Sequence, residues 1–342
     1  MPIAADVSVA LTSAWAFIIA FAVFVYVVLD GFDLGLGLLF ALEPEREARD
    51  VLMTSVAPVW DGNETWLVLG GAGLFAAFPL AYAIVLPALY APILAMLLAL
   101  VFRGVAFEFR WRTERWRGVW DLAFTGGSAV AALAQGIALG ALLQGIDVEE
   151  GGRAYGGGWW DWLTPFTILT GVSVAIGYCL LGATWLVMKT EGELRERAYT
   201  LSWWFLFGLL AAIGAVSLAT PLLDAQYAHR WFDWPNILLV APVPVAVAGV
   251  ALLLLRALAA KQDYRPFFLT LALFALSYAG LGVSMWPYIV PRSITIWDAA
   301  APRDSQIFIL VGVAVMVPVI LAYTAFAYYI FRGKVTADSG YH

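Results

Sequence analysis

The chain has 342 residues, 63% of them hydrophobic and only 13% charged, with a formal net charge of -6. A composition this apolar excludes an ordinary soluble domain and places the chain in the membrane class. The negative charge is spread over short loops with no acidic or basic tail, which argues against a nucleic-acid partner.

Apolar runs of about 20 or more residues recur, each long enough to cross about 30 Å as a helix. A barrel would instead show short alternating segments. In chain order, nine spans are expected at 11–41, 51–78, 81–108, 119–144, 164–189, 199–222, 236–260, 266–290 and 305–332, within a single membrane domain covering 1–342. The first ten residues hold Asp6 and no basic residue, so they lack the start of a cleavable signal and the first span is expected to be retained.

The first span contains "VLDGFDLGLGLLF", Val28 to Phe40, in which Asp30 and Asp33 interrupt an otherwise apolar helix. Three residues apart, they share roughly one face. The short turn "EPERE", Glu43 to Glu47, leads into the second span, "APVWDGNETW", where Pro58 is expected to loosen the helix just before Asp61. Counted from that turn, Asp61 reaches about the depth of Asp30. Glu64 follows Asp61 at the same spacing of three, so the four acids form a candidate polar line. The third span ends in "FRGVAFEFR", which supplies Arg103 and Glu108 as candidate charge partners. A charged Asp at mid-helix costs about 2.5–3.5 kcal/mol on insertion scales, so each acid must be paired, hydrated or protonated. A proton relay and structural pairing with Arg103 both satisfy that condition.

Other features read as architecture. Gly31 and Gly35, and Gly136 and Gly140, are spaced four apart and suit close helix packing. The tryptophans of "GGGWWDW", Gly156 to Trp162, and "RWFDWP", Arg230 to Pro235, suit an aromatic belt. Four Trp-Asp pairs, beginning at Trp60, Trp120, Trp160 and Trp297, are unevenly spaced and make no repeat. The single cysteine, Cys179, can form no internal disulfide, and the histidines are His229 in a loop and His342 at the terminus. So few histidines cannot ligate several metals or haems.

Of the 19 basic residues, all but Arg153, Arg230, Arg292 and Arg303 fall in one alternating set of loops. By the positive-inside rule that set is cytoplasmic, with the N-terminus outside and the C-terminus inside.

The segments "LDGFDLGLGLL", "APVWDGNETWLVLGGAGLFAAFP", "FRGVAFEFR", "LGATWLVMKTEGEL", "SMWPYIVPRSITIWDA" and "VPVILAYTAFAYY" run from the first span to the ninth. In kind and order they resemble subunit II of cytochrome bd-type quinol oxidases, cyanide-insensitive relatives included. The resemblance implies an all-α protein of nine transmembrane helices, arranged as two four-helix bundles plus one peripheral helix. It implies a larger partner, subunit I, that carries haems b and d and the quinol site, in a bacterial inner-membrane complex that reduces dioxygen to water with cytoplasmic protons. This chain is then expected to bind no haem itself. Asp30 and Asp33 fall on the family's first-span pair and Asp61 on the acid of its Trp-Asp-Gly-Asn segment, implicated in proton conduction. Glu108 stands where other members have Asp. A small accessory chain, a lipid or quinone within this subunit, and the identity of the quinone stay open. Two rival readings also stay open: a proton-coupled transporter, and a scaffold that conducts nothing.

Overall fold

The computed structural model describes residues 2–336, with side chains from Ser8 onward; His342 lies outside the described residues. Thirteen helices and one strand pair follow in order: α1 (Pro2–Phe40), α2 (Arg46–Thr54), α3 (Trp60–Ala77), α4 (Pro79–Ala88), α5 (Tyr90–Arg112), α6 (Arg117–Gln144), α7 (Pro165–Lys189), α8 (Gly192–Leu223), α9 (Ala225–Phe232), α10 (Ile237–Val240), α11 (Pro242–Ala259), α12 (Arg265–Met285), β1 (Tyr288–Val290), β2 (Ile294–Thr295) and α13 (Arg303–Ile330). Among the described residues, 8 helices are long and apolar enough to cross a membrane.

The expected second span is absent from that set. It is divided into α2 and the 18-residue α3 by a run of turns over 55–59 that contains Pro58, and Asp61, Asn63 and Glu64 lower the apolar character of α3. Pro58 has no N–H to donate to the Thr54 carbonyl, and α2 stops at that residue. The expected third span begins in α4, which ends at Ala88, and Leu89 separates it from α5. The eighth expected span is shorter in the structure: α12 stops at Met285, and residues 288–290 form β1, antiparallel to β2.

Local sequence explains several helix starts. α7 opens with a capping box in which Thr164 and Thr167 exchange side chain-to-backbone bonds, with Pro165 in the first turn. The Asp224 side chain accepts from the Gln226 N–H at the start of α9.

Two groups of four helices pack side by side. α1, α3, α5 and α6 form one, joined by the α1–α3, α1–α6 and α5–α6 contacts and by the stacked rings of Trp60 and Phe107. α7, α8, α11 and α12 close the other. α7 packs on α1 and α6 and joins the two groups, and glycines allow the approach. A Cβ on Gly35 would sit 1.8 Å from the backbone oxygen of Tyr178, and one on Gly136 would sit 2.5 Å from that of Thr170. α13 packs mainly along α1 and α3, with Tyr328 also edge-on to Trp185 of α7, and leaves most of its apolar surface uncovered. Its ends are nevertheless tied down. Gln306 accepts at its backbone oxygen from Trp15 and donates to Ala301, while the segment beyond α13 lies over the end of α7, where the Val335 N–H donates to the Lys189 oxygen.

Candidate functional site

Arg103 lies two turns from the end of α5 and is fully buried. One terminal nitrogen pairs directly with Asp33; the other lies 3.8 Å from Asp30 and 3.6 Å from Glu64. The guanidinium carbon is also 5.3 and 5.7 Å from the ring centres of Phe107 and Phe124, over which its charge is further stabilised. The spacing of Asp30 and Asp33 turns both acids toward the Arg103 side chain of α5, while Glu64 reaches the same guanidinium from α3. Three carboxylates thus converge on one arginine inside the first helix group. Fully ionised, the four groups would carry two uncompensated negative charges, which burial makes costly. Glu64 is the open edge of the cluster: its side chain keeps 28% exposure, against 1% for Asp30 and 0% for Asp33.

Polar side chains from other helices surround these acids. Tyr178 on α7 donates to the Gln135 amide oxygen on α6 at 2.5 Å, and the Gln135 amide nitrogen donates to the Tyr26 hydroxyl at 2.7 Å. Tyr26 is one turn before Asp30 and borders it. On the other flank the Asn63 amide donates to the Leu29 carbonyl at 3.1 Å and accepts from Tyr328 of α13 at 2.9 Å. Sequence reasoning missed these residues. Tyr26 could have been found from its i, i+4 spacing to Asp30, and Gln135 as a polar residue amid an apolar run; nothing local pairs Tyr178 or Tyr328 with the acids.

One expectation is corrected. Asp61 is not a buried neighbour of Asp30: it is exposed at the start of α3 and is close enough to Glu64 for their charges to interact. The reason is rotational, since Asn63 marks the buried stripe of α3 and a position two residues earlier is turned about 200° from it. Glu108, the other candidate charge partner, is half-exposed and pairs with Arg112 at 3.5 Å along the surface of α5.

A second charge cluster lies where α2, α5 and α6 meet, at the end of the molecule rich in basic loops. Arg110, also buried, bonds Asp121 at 2.5 Å and Asp50 at 2.7 Å, and Arg117 reaches Asp50 at 2.5 Å. Arg49 adds a longer contact to Asp121 at 3.4 Å. Each acid here has at least one arginine in hydrogen-bond contact, so this cluster reads as a lock between helices. Among the described residues, His229 is exposed and pairs with Asp233 at 2.8 Å. A groove of about 420 Å³ runs between α1, α3 and α13, lined by apolar side chains that include Phe17, Phe21, Leu69 and Leu310.

Comparison with known proteins agrees with this architecture. The family described as "Cytochrome bd terminal oxidase subunit II" matches residues 11–331. The chain is 32% identical to "Cytochrome bd-I ubiquinol oxidase subunit 2" of Escherichia coli strain K12, over 95% of each chain. It is 29% identical to "Cytochrome bd ubiquinol oxidase subunit 2" of Bacillus subtilis strain 168, over 94% of this chain and 96% of the relative. Its fold is similar to a chain in the solved bd oxidase of Geobacillus thermodenitrificans, with a TM-score of 0.72, 18% identity, and coverage of 94% and 98% of the two chains. A match that spans nearly the whole sequence, on a helical fold of the same kind, means that this chain belongs to the cytochrome bd terminal oxidase subunit II family.

Proposed function

We propose that this chain is the haem-free subunit II of a quinol-oxidising, dioxygen-reducing bd-type complex, and that its buried acids conduct protons from the cytoplasm toward the haem-bearing subunit I. The observation that carries the reading is the convergence of Asp30, Asp33 and Glu64 on Arg103, with Glu64 alone partly open. An excess of buried carboxylates over countercharge gives a cluster reason to bind and release protons, and one open member gives it access. In this reading Asp61 is the exposed acceptor, Glu64 passes the proton inward, and Asp30 receives it beside Arg103. α3 serves as the ninth membrane-crossing helix, and the one-sided basic loops orient the chain in the bacterial inner membrane with its N-terminus outside and C-terminus inside. The apolar lining of the groove suits a hydrocarbon chain, whether from a lipid or a quinone tail.

The test is oxygen consumption per haem in the complete complex carrying Asp30→Asn or Glu64→Gln. Slow turnover with full assembly supports conduction, because these changes keep side-chain size and remove only the titrating proton. The scaffold reading draws on one observation, the direct Arg103–Asp33 pair. It requires that the same variants lose assembly while surviving complexes keep their specific activity. Membership in an oxidase family leaves no observation that favours a transporter.

A further inference from the structure

The hydrogen bonds beside Asp30 run in one direction. Because Tyr178 donates to the Gln135 oxygen at 2.5 Å, the amide must offer its nitrogen to Tyr26, which accepts at 2.7 Å. The Tyr26 proton then remains to be donated elsewhere, and Asp30 is the carboxylate one turn further along the same face of α1. Asp30 has need of that donor: both of its carboxylate oxygens are buried without a conventional hydrogen bond, and its nearest guanidinium nitrogen is 3.8 Å away. The groups that bear on Asp30 are Asp33 and Tyr26 on α1, Glu64 on α3, Arg103 on α5, Tyr178 on α7 and Tyr328 on α13.

We propose that Gln135 is a positioning residue for Asp30: Tyr178 sets the polarity of its amide, the amide turns the Tyr26 hydroxyl toward Asp30, and that hydroxyl holds the carboxylate ready to accept a proton. The proposal rests on the proton-conducting reading above. A carboxamide has no proton that it readily loses and no basic site that gains one near neutral pH. Gln135 therefore gives protons no titrating branch between Tyr26 and Tyr178 through its own side chain. An acid at this position would open such a branch; the amide supplies the hydrogen bonds without the leak.

The experiment uses the complete two-subunit oxidase with Gln135→Leu, Tyr178→Phe and Tyr26→Phe, each read as oxygen consumption per haem across pH. Tyr26→Phe removes the donor to the Asp30 carboxylate, and loss of the Gln135 amide or the Tyr178 hydroxyl leaves that donor unaimed, so all three profiles should be displaced from wild type. Tyr278→Phe serves as the control. It removes a comparable tyrosine bond, donated to the Ala20 carbonyl at 2.9 Å elsewhere on α1, and should leave the profile in place. If Gln135→Leu fails to assemble, Tyr178→Phe decides the matter, since it removes one hydroxyl and keeps the ring stacked on Phe274. A Tyr178→Phe profile that superimposes on wild type, in an enzyme whose Asp30→Asn variant is slow, overturns the positioning role alone. An Asp30→Asn enzyme with wild-type turnover at every pH overturns the conduction reading and this inference with it.

Discussion

Replacing Arg103 with leucine removes the guanidinium from among three carboxylates while keeping an apolar side chain in the span. At contacts of 3.6 Å to Glu64 and 3.8 Å to Asp30, each attraction is worth about 4–5 kcal/mol at an effective dielectric of about 20, before the mutual repulsion of the acids is counted. The direct pair with Asp33 adds a third contact of at least that order. Much of this gain only offsets the desolvation of the charges, so the better guide to the mutant is the cost of breaking a buried pair from one side, about 3–5 kcal/mol. That is a large share of a typical domain's net stability. The expected result is a large loss of assembled complex, measured as purified oxidase per unit of membrane and as the midpoint of thermal dissociation. Arg112→Leu is the reference, because Arg112 is exposed and holds only a surface pair with Glu108. A double variant, Arg103→Leu with Asp33→Leu, should recover part of the loss, since both ends of the tightest pair are then apolar. Equal tolerance of Arg103→Leu and Arg112→Leu, or no recovery in the double variant, would refute the view that Arg103 is held by charge.

Asp61→Asn should leave assembly intact, because Asp61 is exposed; slowed oxygen consumption per haem would place it on the path, and a wild-type rate would remove it. Gly35→Ala should abolish close packing of α1 on α7 and reduce assembly severely, whereas Gly71→Ala, which meets nothing within 4 Å, should be silent in the same membrane-yield measurement. In the loop between α11 and α12, burial acts to raise Asp263, but hydrogen bonding and charge from Lys334, with Arg195, outweigh it and hold the carboxyl below its ordinary value. A depressed acid contributes stability that is present above its unfolded value of about 3.9 and is lost as pH falls through its folded value. Acidification below about pH 4 should therefore release the segment after α13, seen as faster proteolysis of the C-terminus, and Asp263→Asn should show the same release at neutral pH. His229→Ala should leave the optical spectrum of the complex unchanged, as its ring is exposed and paired with Asp233.

Membrane class, the approximate extent of most helices, the glycine contacts and the presence of costly acids were all legible in the sequence. Each follows from local facts: an apolar run must bury its backbone in a helix, a proline removes one of that helix's hydrogen bonds, and a carboxylate in such a run needs a partner. The pairing of Arg103 with the first-span acids was also open to reasoning, because an arginine that deep has few alternatives. What the sequence could not determine was rotation. Asp61 and Glu64 are three residues apart on one helix, yet only Glu64 reaches Arg103, because the turns at 55–59 separate α2 from α3 and the stripe led by Asn63 decides which face turns inward. Nor could spacing bring Tyr26, Gln135 and Tyr178 into one hydrogen-bonded line, since their contacts cross three helices and depend on how closely α7 approaches α1 and α6. Side chains on one helix are related by its fixed geometry; those on different helices meet only where packing, set here by glycines against backbone, brings the helices together.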